Sequence, residues 1–312
     1  MDQAQLPTSG TYVCHGITWA SGDPLLLLAP LPGGPLVYAG IMGQRLGYQV
    51  NGTGRWCTGL YRFTDRVRVE AVACPDRAAA EAGGQCAACA SRDEFRFAHQ
   101  FHAGGHVPDA LAAYMAQPHW LYLATFADGT TKVGTAADPR KRSRLDEQGA
   151  LVATYLAESP DGRTVRFMED ALTRRLGLTQ TVRATAKLTA LAELRNLAPA
   201  HTAHTAHQQH LDRAAEALAD LNIPAVLEPW TPPGEGDLLG TPGTERALYP
   251  HDLREGEHGL TVLSCIGSQV LVSLNGDGEL SYLLDLGALK GRRITLGAQF
   301  SSPPAAVQSA LF

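Results

Sequence analysis

The chain has 312 residues, 45% of them hydrophobic and 18% charged, so it can bury a sizeable core and is neither a disordered tail nor a miniprotein needing covalent staples. Its longest apolar run, Leu25 to Pro32, falls far short of the about 20 residues of a spanning helix, and Met1 to Gly10 carry no export signal. A cytoplasmic protein with no membrane partner is expected. The net charge of −5 hides a division into −1 for residues 1–119, +3 for 120–196 and −7 for 197–312, so the total does not exclude a polyanion for the middle segment.

Taken in chain order, Thr11 to Trp19, Leu25 to Ala29, Leu36 to Ile41 and Val67 to Ala73 are β-prone stretches divided by Gly, Pro and Asp turns. They predict a small sheet or half-barrel. Leu121 to Phe126 and Thr130 to Gly134 predict a hairpin closed by Ala127-Asp128-Gly129. Asp138-Pro139 reads as an N-cap followed by a first helical proline, opening a basic helix through Arg140, Lys141, Arg142 and Arg144. Leu151 to Glu158 is a third strand, and Val165 to Leu176 a second helix ended by Gly177.

Residues 184–221 form an Ala/Leu-rich helical stretch broken at Pro199. It contains His201, His204, His207 and His210, which read as a solvent-facing turn because steps of three drift by about 60° around a helix. A Pro/Gly-rich linker, Pro229 to Pro242, precedes a meander over Gly259 to Leu296 with a turn at Asn275-Gly276-Asp277-Gly278. The expected class is α+β in three parts: a β-rich segment with a Cys-rich insert at 1–118, an α/β module at 119–196, and a helical plus β section at 197–312. The two β-rich ends are candidates to pair with each other.

Residues 74–106 show little apolar periodicity yet carry three of the six cysteines. Cys86 and Cys89 form a Cys-x-x-Cys pair, and Cys57 and Cys74 lie upstream, whereas Cys14 and Cys265 are distant. In a reducing compartment four thiolates suit a structural Zn²⁺ that orders a segment lacking its own core. His99, His102 or His106 are alternatives for one ligand.

The middle module gathers Tyr122 on its first strand, Lys132-Val133-Gly134 on its second, Arg140, Arg142 and Arg144 on its first helix and Glu169 on its second. These types suit phosphodiester cleavage: a carboxylate for a divalent metal, a tyrosine hydroxyl to relay a proton, an arginine to neutralise developing charge.

Leu121 to about Thr181 resembles the GIY-YIG nuclease superfamily. Leu121-Tyr122-Leu123 stands at the Gly-Ile-Tyr strand and Lys132-Val133-Gly134 at Tyr-Ile-Gly. Arg142 or Arg144 falls at the catalytic arginine, and Glu169 within Phe167-Met168-Glu169-Asp170-Ala171-Leu172 at the metal-binding glutamate. The resemblance implies a hydrolase with one Mg²⁺ or Mn²⁺ at the edge of a three-stranded sheet. More widely, Gln85-Cys86-Ala87-Ala88-Cys89, His119-Trp120-Leu121-Tyr122-Leu123-Ala124, Lys132-Val133-Gly134-Thr135 and Glu147-Gln148-Gly149-Ala150 resemble a bacterial family that joins such a module to a cysteine-rich segment. Lys132 departs from the motif tyrosine, and it can accept a proton at neutral pH only if burial lowers its pKa. No asparagine of the motif stands near Thr179 to Thr181.

The leading expectation is therefore a metal-dependent phosphodiester hydrolase acting on DNA or RNA. Two alternatives keep the fold: a zinc-stabilised nucleic-acid-binding protein that grips phosphates with the Arg140 to Arg144 helix, or a site repurposed for a small anionic metabolite.

Overall fold

Three strands at the start of the chain, β1 (Ser9–Ala20), β2 (Asp23–Pro30) and β3 (Val37–Gly40), follow from the β-prone stretches and their turns, and β4 (Arg45–Val50), which those stretches do not include, comes after them. The computed structural model describes residues 3–63, 68–95, 107–193, 198–233, 246–274 and 280–305. A short hairpin, β5 (Leu60–Phe63) and β6 (Val69–Val72), leads to helices α1 (Ala87–Arg92) and α2 (Asp109–Met115). The middle of the chain contributes β7 (His119–Thr125), β8 (Thr131–Ala137), α3 (Lys141–Gln148), β9 (Val152–Ser159) and α4 (Gly162–Leu176). Helices α5 (Ala184–Glu193) and α6 (Ala198–Asp220) come next, then strands β10 (Glu228–Pro229), β11 (Arg246–Leu248), β12 (Glu257–Ile266), β13 (Gln269–Leu274), β14 (Ser281–Asp285) and β15 (Arg293–Gly297). The architecture is α+β. Among the described residues no helix is long and apolar enough to cross a membrane.

The two ends of the chain build one sheet of nine strands in the order β11-β14-β13-β12-β4-β15-β1-β2-β3. All its neighbours run antiparallel except the β11–β14 pair. Leu26, Leu28, Ile41, Tyr48, Val262, Val272 and Ile294, drawn from both ends, share its core. The expected C-terminal meander holds for β12, β13 and β14, but β15 leaves it and inserts between β4 and β1. The turn expected at residues 275–278 lies outside the described residues.

The middle sheet has the order β10-β9-β7-β8, so the expected three strands gain a fourth, short one at the β9 edge. Period-two alternation along β7 divides its side chains between two faces. Leu121 and Leu123 pack with Val133 and Leu156 against Val165 and Leu172 of α4 and Ala214 and Leu218 of α6. Trp120, Tyr122 and Ala124 face the other way, with Tyr155, Leu145 of α3 and Trp230. Helix α4 is capped by Asp161, which accepts from the N–H groups of Arg163 and Thr164, and stopped by Gly177 at φ 66°.

Several local expectations change. Asp138 does not cap α3; its carboxylate accepts from Trp120 Nε1 at 2.7 Å, satisfying an indole that the sheet buries. The start of the expected linker is packed, because Pro229 lies in β10 and Trp230 is buried, with its N–H on Ala153 O. Pro199 falls in the first turn of α6, where a missing N–H costs nothing. Within that helix His201 and His204 are exposed, but His207 is buried and bonded at both ring nitrogens, to Thr125 Oγ1 at 2.9 Å and Thr154 Oγ1 at 2.8 Å. The angular drift of a three-residue repeat turns His207 toward the sheet and leaves His201 and His204 exposed, with His210 half-buried.

Candidate anion site and cysteine cluster

The β7–β8 register sets Tyr122 opposite Gly134 and Ala124 opposite Lys132. The Tyr122 ring lies across Gly134 so closely that a Cβ there would sit 2.5 Å from the phenol oxygen, which accounts for a glycine at this position. Tyr122 is fully buried, and among the described residues its hydroxyl makes no hydrogen bond of ordinary geometry, although the Arg144 guanidinium lies near enough to act on it. An orphaned buried hydroxyl costs about 1–3 kcal/mol, so it asks for an explanation.

Its surroundings are strongly cationic. Lys132 Nζ lies 5.9 Å from the centre of the Tyr122 ring, and Lys132 is itself buried. Burial raises the Tyr122 pKa, opposed by the nearby Arg144 charge and reinforced by Glu169. Burial likewise pushes the Lys132 ammonium down to about 7, with Arg144 and Lys187 adding to the effect and Glu169 opposing it. Lys187, from α5, is pushed down to about 8 by burial and by Arg144; its Nζ donates to Gln148 O at 2.6 Å and lies 4.5 Å from the Phe126 ring centre. Glu169 is buried and paired with Arg166 Nη1 at 2.6 Å, a turn away on α4. Tyr122, Lys132, Arg144 and Glu169 thus form one electrostatic cluster, joined by Arg166 and Lys187.

Arg142 lies elsewhere. Its side chain is exposed, and its Nε is 4.0 Å from Asp146 Oδ2. The neighbouring cations of α3 are also committed: Arg140 to both oxygens of Glu147 and Lys141 to Glu228 at 2.7 Å, with Lys141 Nζ only 3.3 Å from the Trp120 ring centre. Internal partners therefore hold much of the positive charge that the sequence assigns to this helix. A cleft of about 1120 Å³ opens beside it, bordered by Trp19, Tyr61, Arg144, Asp146, Trp230 and Lys290. Burial raises the Asp146 pKa to about 6, opposed by a hydrogen bond from Trp230 Nε1 and by Arg142.

The expected Mg²⁺ or Mn²⁺ finds little here to hold it. Such ions take oxygen ligands, yet Glu169 is the one carboxylate that acts on both Tyr122 and Lys132, and Arg166 already engages it. Among the described residues, the one group of three or more His, Cys, Asp or Glu side chains gathered tightly enough for a metal is the set of four cysteines. One carboxylate that is already paired with Arg166 does not make a ligand set for a divalent ion.

The cysteine cluster is a different case. Cys57 just before β5, Cys74 after β6, Cys86 at the start of α1 and Cys89 within it are all buried, with their sulfurs within 4.8 Å of one another. Cys74 and Cys86 sulfurs are 3.9 Å apart, near the about 3.8 Å that four Zn–S bonds impose on a tetrahedron. The N–H of Gly59 donates to Cys57 Sγ. Burial pushes the Cys57 and Cys89 thiols up, while the N–H of Cys89 holds Cys86 down. The set is complete without a histidine and can hold a metal ion; His99, His102 and His106 lie outside the described residues.

Arg166 and Lys187 escaped the sequence reading. Arg166 had a signal, an arginine three residues before Glu169 on one helix face. Lys187 had none, because only tertiary packing carries α5 to Phe126 and Gln148.

Residues 74–225 match a family model described as "Protein of unknown function (DUF2797)". The matched segment includes Tyr122, Lys132, Arg142, Arg144, Glu169 and three of the four clustered cysteines, and leaves out Cys57. No curated protein and no solved structure matches the chain.

Proposed function

We propose that the middle module binds a phosphodiester of DNA or RNA and hydrolyses it at the Tyr122 cluster. The observation that carries this reading is a buried tyrosine with Lys132 Nζ 5.9 Å from its ring centre and the Arg144 guanidinium acting on its hydroxyl, beside one carboxylate. Among the groups that act on Tyr122, Arg166 is paired with Glu169 and Arg144 is left as the cation an anionic ligand would meet. The likeness of Tyr122, Lys132-Val133-Gly134, Arg144 and Glu169 to the GIY-YIG motifs supports the same chemistry. In this arrangement Arg144 clamps the phosphate, Lys132 gives electrostatic support, Tyr122 moves a proton and Glu169 accepts one.

The test is release of products from labelled DNA and RNA, with and without added Mg²⁺ or Mn²⁺, by the protein and its Glu169→Ala variant. A loss of about 100-fold or more in the variant is expected; equal rates would remove Glu169 and the cluster from the chemistry.

A second reading, recognition of a small anionic metabolite, draws on the burial of the site and on the internal pairing of the α3 cations. Competition separates the two. A mononucleotide or inorganic phosphate that displaces an oligonucleotide only at far higher concentration favours the nucleic acid, and the reverse favours the metabolite.

We further propose that Cys57, Cys74, Cys86 and Cys89 hold Zn²⁺ in a closed structural site, which would tie β5, β6 and α1 together and perform no catalysis. Metal analysis of the purified protein tests this directly; about one zinc per chain is expected.

A further inference from the structure

Along β1 the pairing with β2 slips by one residue between Cys14 and Gly16, which makes His15 the extra residue of a bulge, a device that re-aims a side chain. His15 borders the cleft of about 1120 Å³, is 8% exposed, and among the described residues its buried Nε2 has no hydrogen-bond partner. At the same place the side chain of Lys290 lies across Gly16, its Cβ and Cδ 3.7 Å from where a glycine Cβ would be. Farther along the strand, at the turn into β2, Arg142 reaches over from α3, and its Nη2 stands 3.7 Å from where a Cβ on Gly22 would be. At the rise of an extended strand, Gly16 and Gly22 are roughly 15–20 Å apart. Between them β1 is tied to α3, because Thr18 Oγ1 donates to Glu147 at 3.2 Å and Arg140 donates to both oxygens of the same carboxylate.

The cleft is not neutralised from within. Of the five carboxylates that border it, Asp138, Asp146, Glu147 and Glu228 are engaged by Trp120, Trp230, Arg140 and Lys141. Glu70 is left to set against Lys290, Arg142 and Arg144. Arg142 is held only by Asp146, at 4.0 Å, and neither Lys290 nor Arg144 forms an ion pair among the described residues.

One phosphate cannot meet both Lys290 and Arg142 at this separation, but a chain of phosphates can. The wall between them carries aromatic rings of the kind on which unpaired bases stack. Tyr61 of β5 is 42% exposed there and is held against Phe95, with 5.7 Å between ring centres. The indoles of Trp19 and Trp230 are fixed by bonds from their N–H groups to Gly267 O at 2.8 Å and Asp146 Oδ1 at 3.1 Å. Bases in a duplex stack on each other and offer no free face to such rings. Resting on the phosphodiester reading above, we infer that the cleft between β1 and α3 is the groove for an unpaired strand of DNA or RNA, with Lys290 and Arg142 on separate phosphates, Tyr61 under a base and His15 beside Lys290. Arg144 borders the same cleft and acts on the Tyr122 hydroxyl, so a strand in the groove leads to the site of the proposed cleavage.

The experiment uses the full chain with fluorescein-labelled DNA and RNA dodecamers, single-stranded and annealed, read by anisotropy over a range of salt, with cleavage followed on gels in the same samples. Single strands are expected to bind about tenfold or more tighter than duplexes, and a mononucleotide to compete weakly. Lys290→Gln and Arg142→Gln are each expected to weaken single-strand binding and to flatten its slope against log salt by about 0.7, the share of one phosphate contact, with Lys290→Arg restoring both. Tyr61→Ala is expected to weaken binding by about fivefold or more and leave that slope unchanged. All three side chains are exposed, so the variants keep the fold. Duplex bound as tightly as single strand, a mononucleotide bound as tightly as a dodecamer, or single-strand binding unmoved in all three variants overturns the inference, and product formed in those samples leaves the hydrolase reading standing. Single-strand binding that depends on Lys290, Arg142 and Tyr61 with no product under any condition upholds the groove and sinks the hydrolase reading instead.

Discussion

Tyr122 buries a hydroxyl that makes no hydrogen bond of ordinary geometry among the described residues, with Arg144 acting on it. Tyr122→Phe keeps the ring that lies across Gly134 and removes the orphan, so it is expected to match or exceed the parent in urea unfolding, by up to about 1 kcal/mol, while cleavage falls about 100-fold or more. A drop in both would mean that the hydroxyl is structural. His207 is the opposite kind of residue, with both ring nitrogens satisfied by threonines. Burial holds its pKa at about 4 against the ordinary 6.5, with His204 and His210 adding to the effect. The unfolded chain therefore binds the proton first, and the stability this histidine gives is complete above pH 6.5 and lost as pH falls toward 4. Between pH 7 and 4.5 this amounts to about 2–3 kcal/mol. Urea titrations of the parent and His207→Gln at the two pH values should show a correspondingly smaller acid loss in the variant. Tyr122, Lys132, Arg144 and Glu169 were legible as a group because a hairpin and two helices fix their spacing. His207 was not, because a run of evenly spaced histidines does not tell which one the sheet will face.

At the scale of the element, helix α1 and the end of the hairpin β5–β6 nearest it gather around the cysteines, while Phe63 and Val69 at the turn end of the hairpin pack against Leu111, Tyr114 and Met115 of α2. The apolar cluster at the cysteines consists of the four thiols, Leu60, and the partly buried Val72 and Ala78. If the four cysteines hold zinc as proposed, its removal, or Cys89→Ser, is expected to abolish hydrogen-exchange protection over residues 57–63 and 68–92 while β7, β8 and β9 stay protected, since structural zinc binding is itself folding free energy. Uniform loss of protection would mean that the segment and the middle sheet unfold together. The sequence announced this unit through its Cys-x-x-Cys pair and its lack of periodicity. It did not announce β10, because a two-residue strand that contains a proline has the composition of a linker; β9 and Trp230 make it a strand, through the pairs Glu228 with Tyr155 and Pro229 with Thr154. Strands β4 and β5 were also unread, each being short and broken in its alternation.

For the whole molecule the decisive pairing is the one between its ends. Strand β15 joins β1 to β4, and Ile294 is fully buried opposite Tyr12 and Val50. Ile294→Ala is expected to cost about 2–5 kcal/mol, read as a shift in the urea midpoint for fluorescence from both Trp19, in the nine-stranded sheet, and Trp120, in the middle one. A midpoint that moves for only one of them would show that the two sheets unfold separately. That β-rich ends would seek each other was readable in outline. Which strand would sit between which others was not, because antiparallel pairing between distant segments leaves no periodic mark on either.

Strands β1 and β4 leave the ribosome more than 240 residues ahead of β15. At about 5–20 residues per second, β1 and β4 wait tens of seconds for the neighbour they share. Meanwhile the cysteine hairpin and the middle sheet, whose partners lie close in sequence, can close around their own contacts. Until β12 is made β4 has neither of its neighbours, and until β15 is made β1 keeps one open edge, so unpaired strand edges are exposed to pairing with the wrong strand. Yield in the cell is therefore tied to how those edges are shielded before synthesis reaches Arg293.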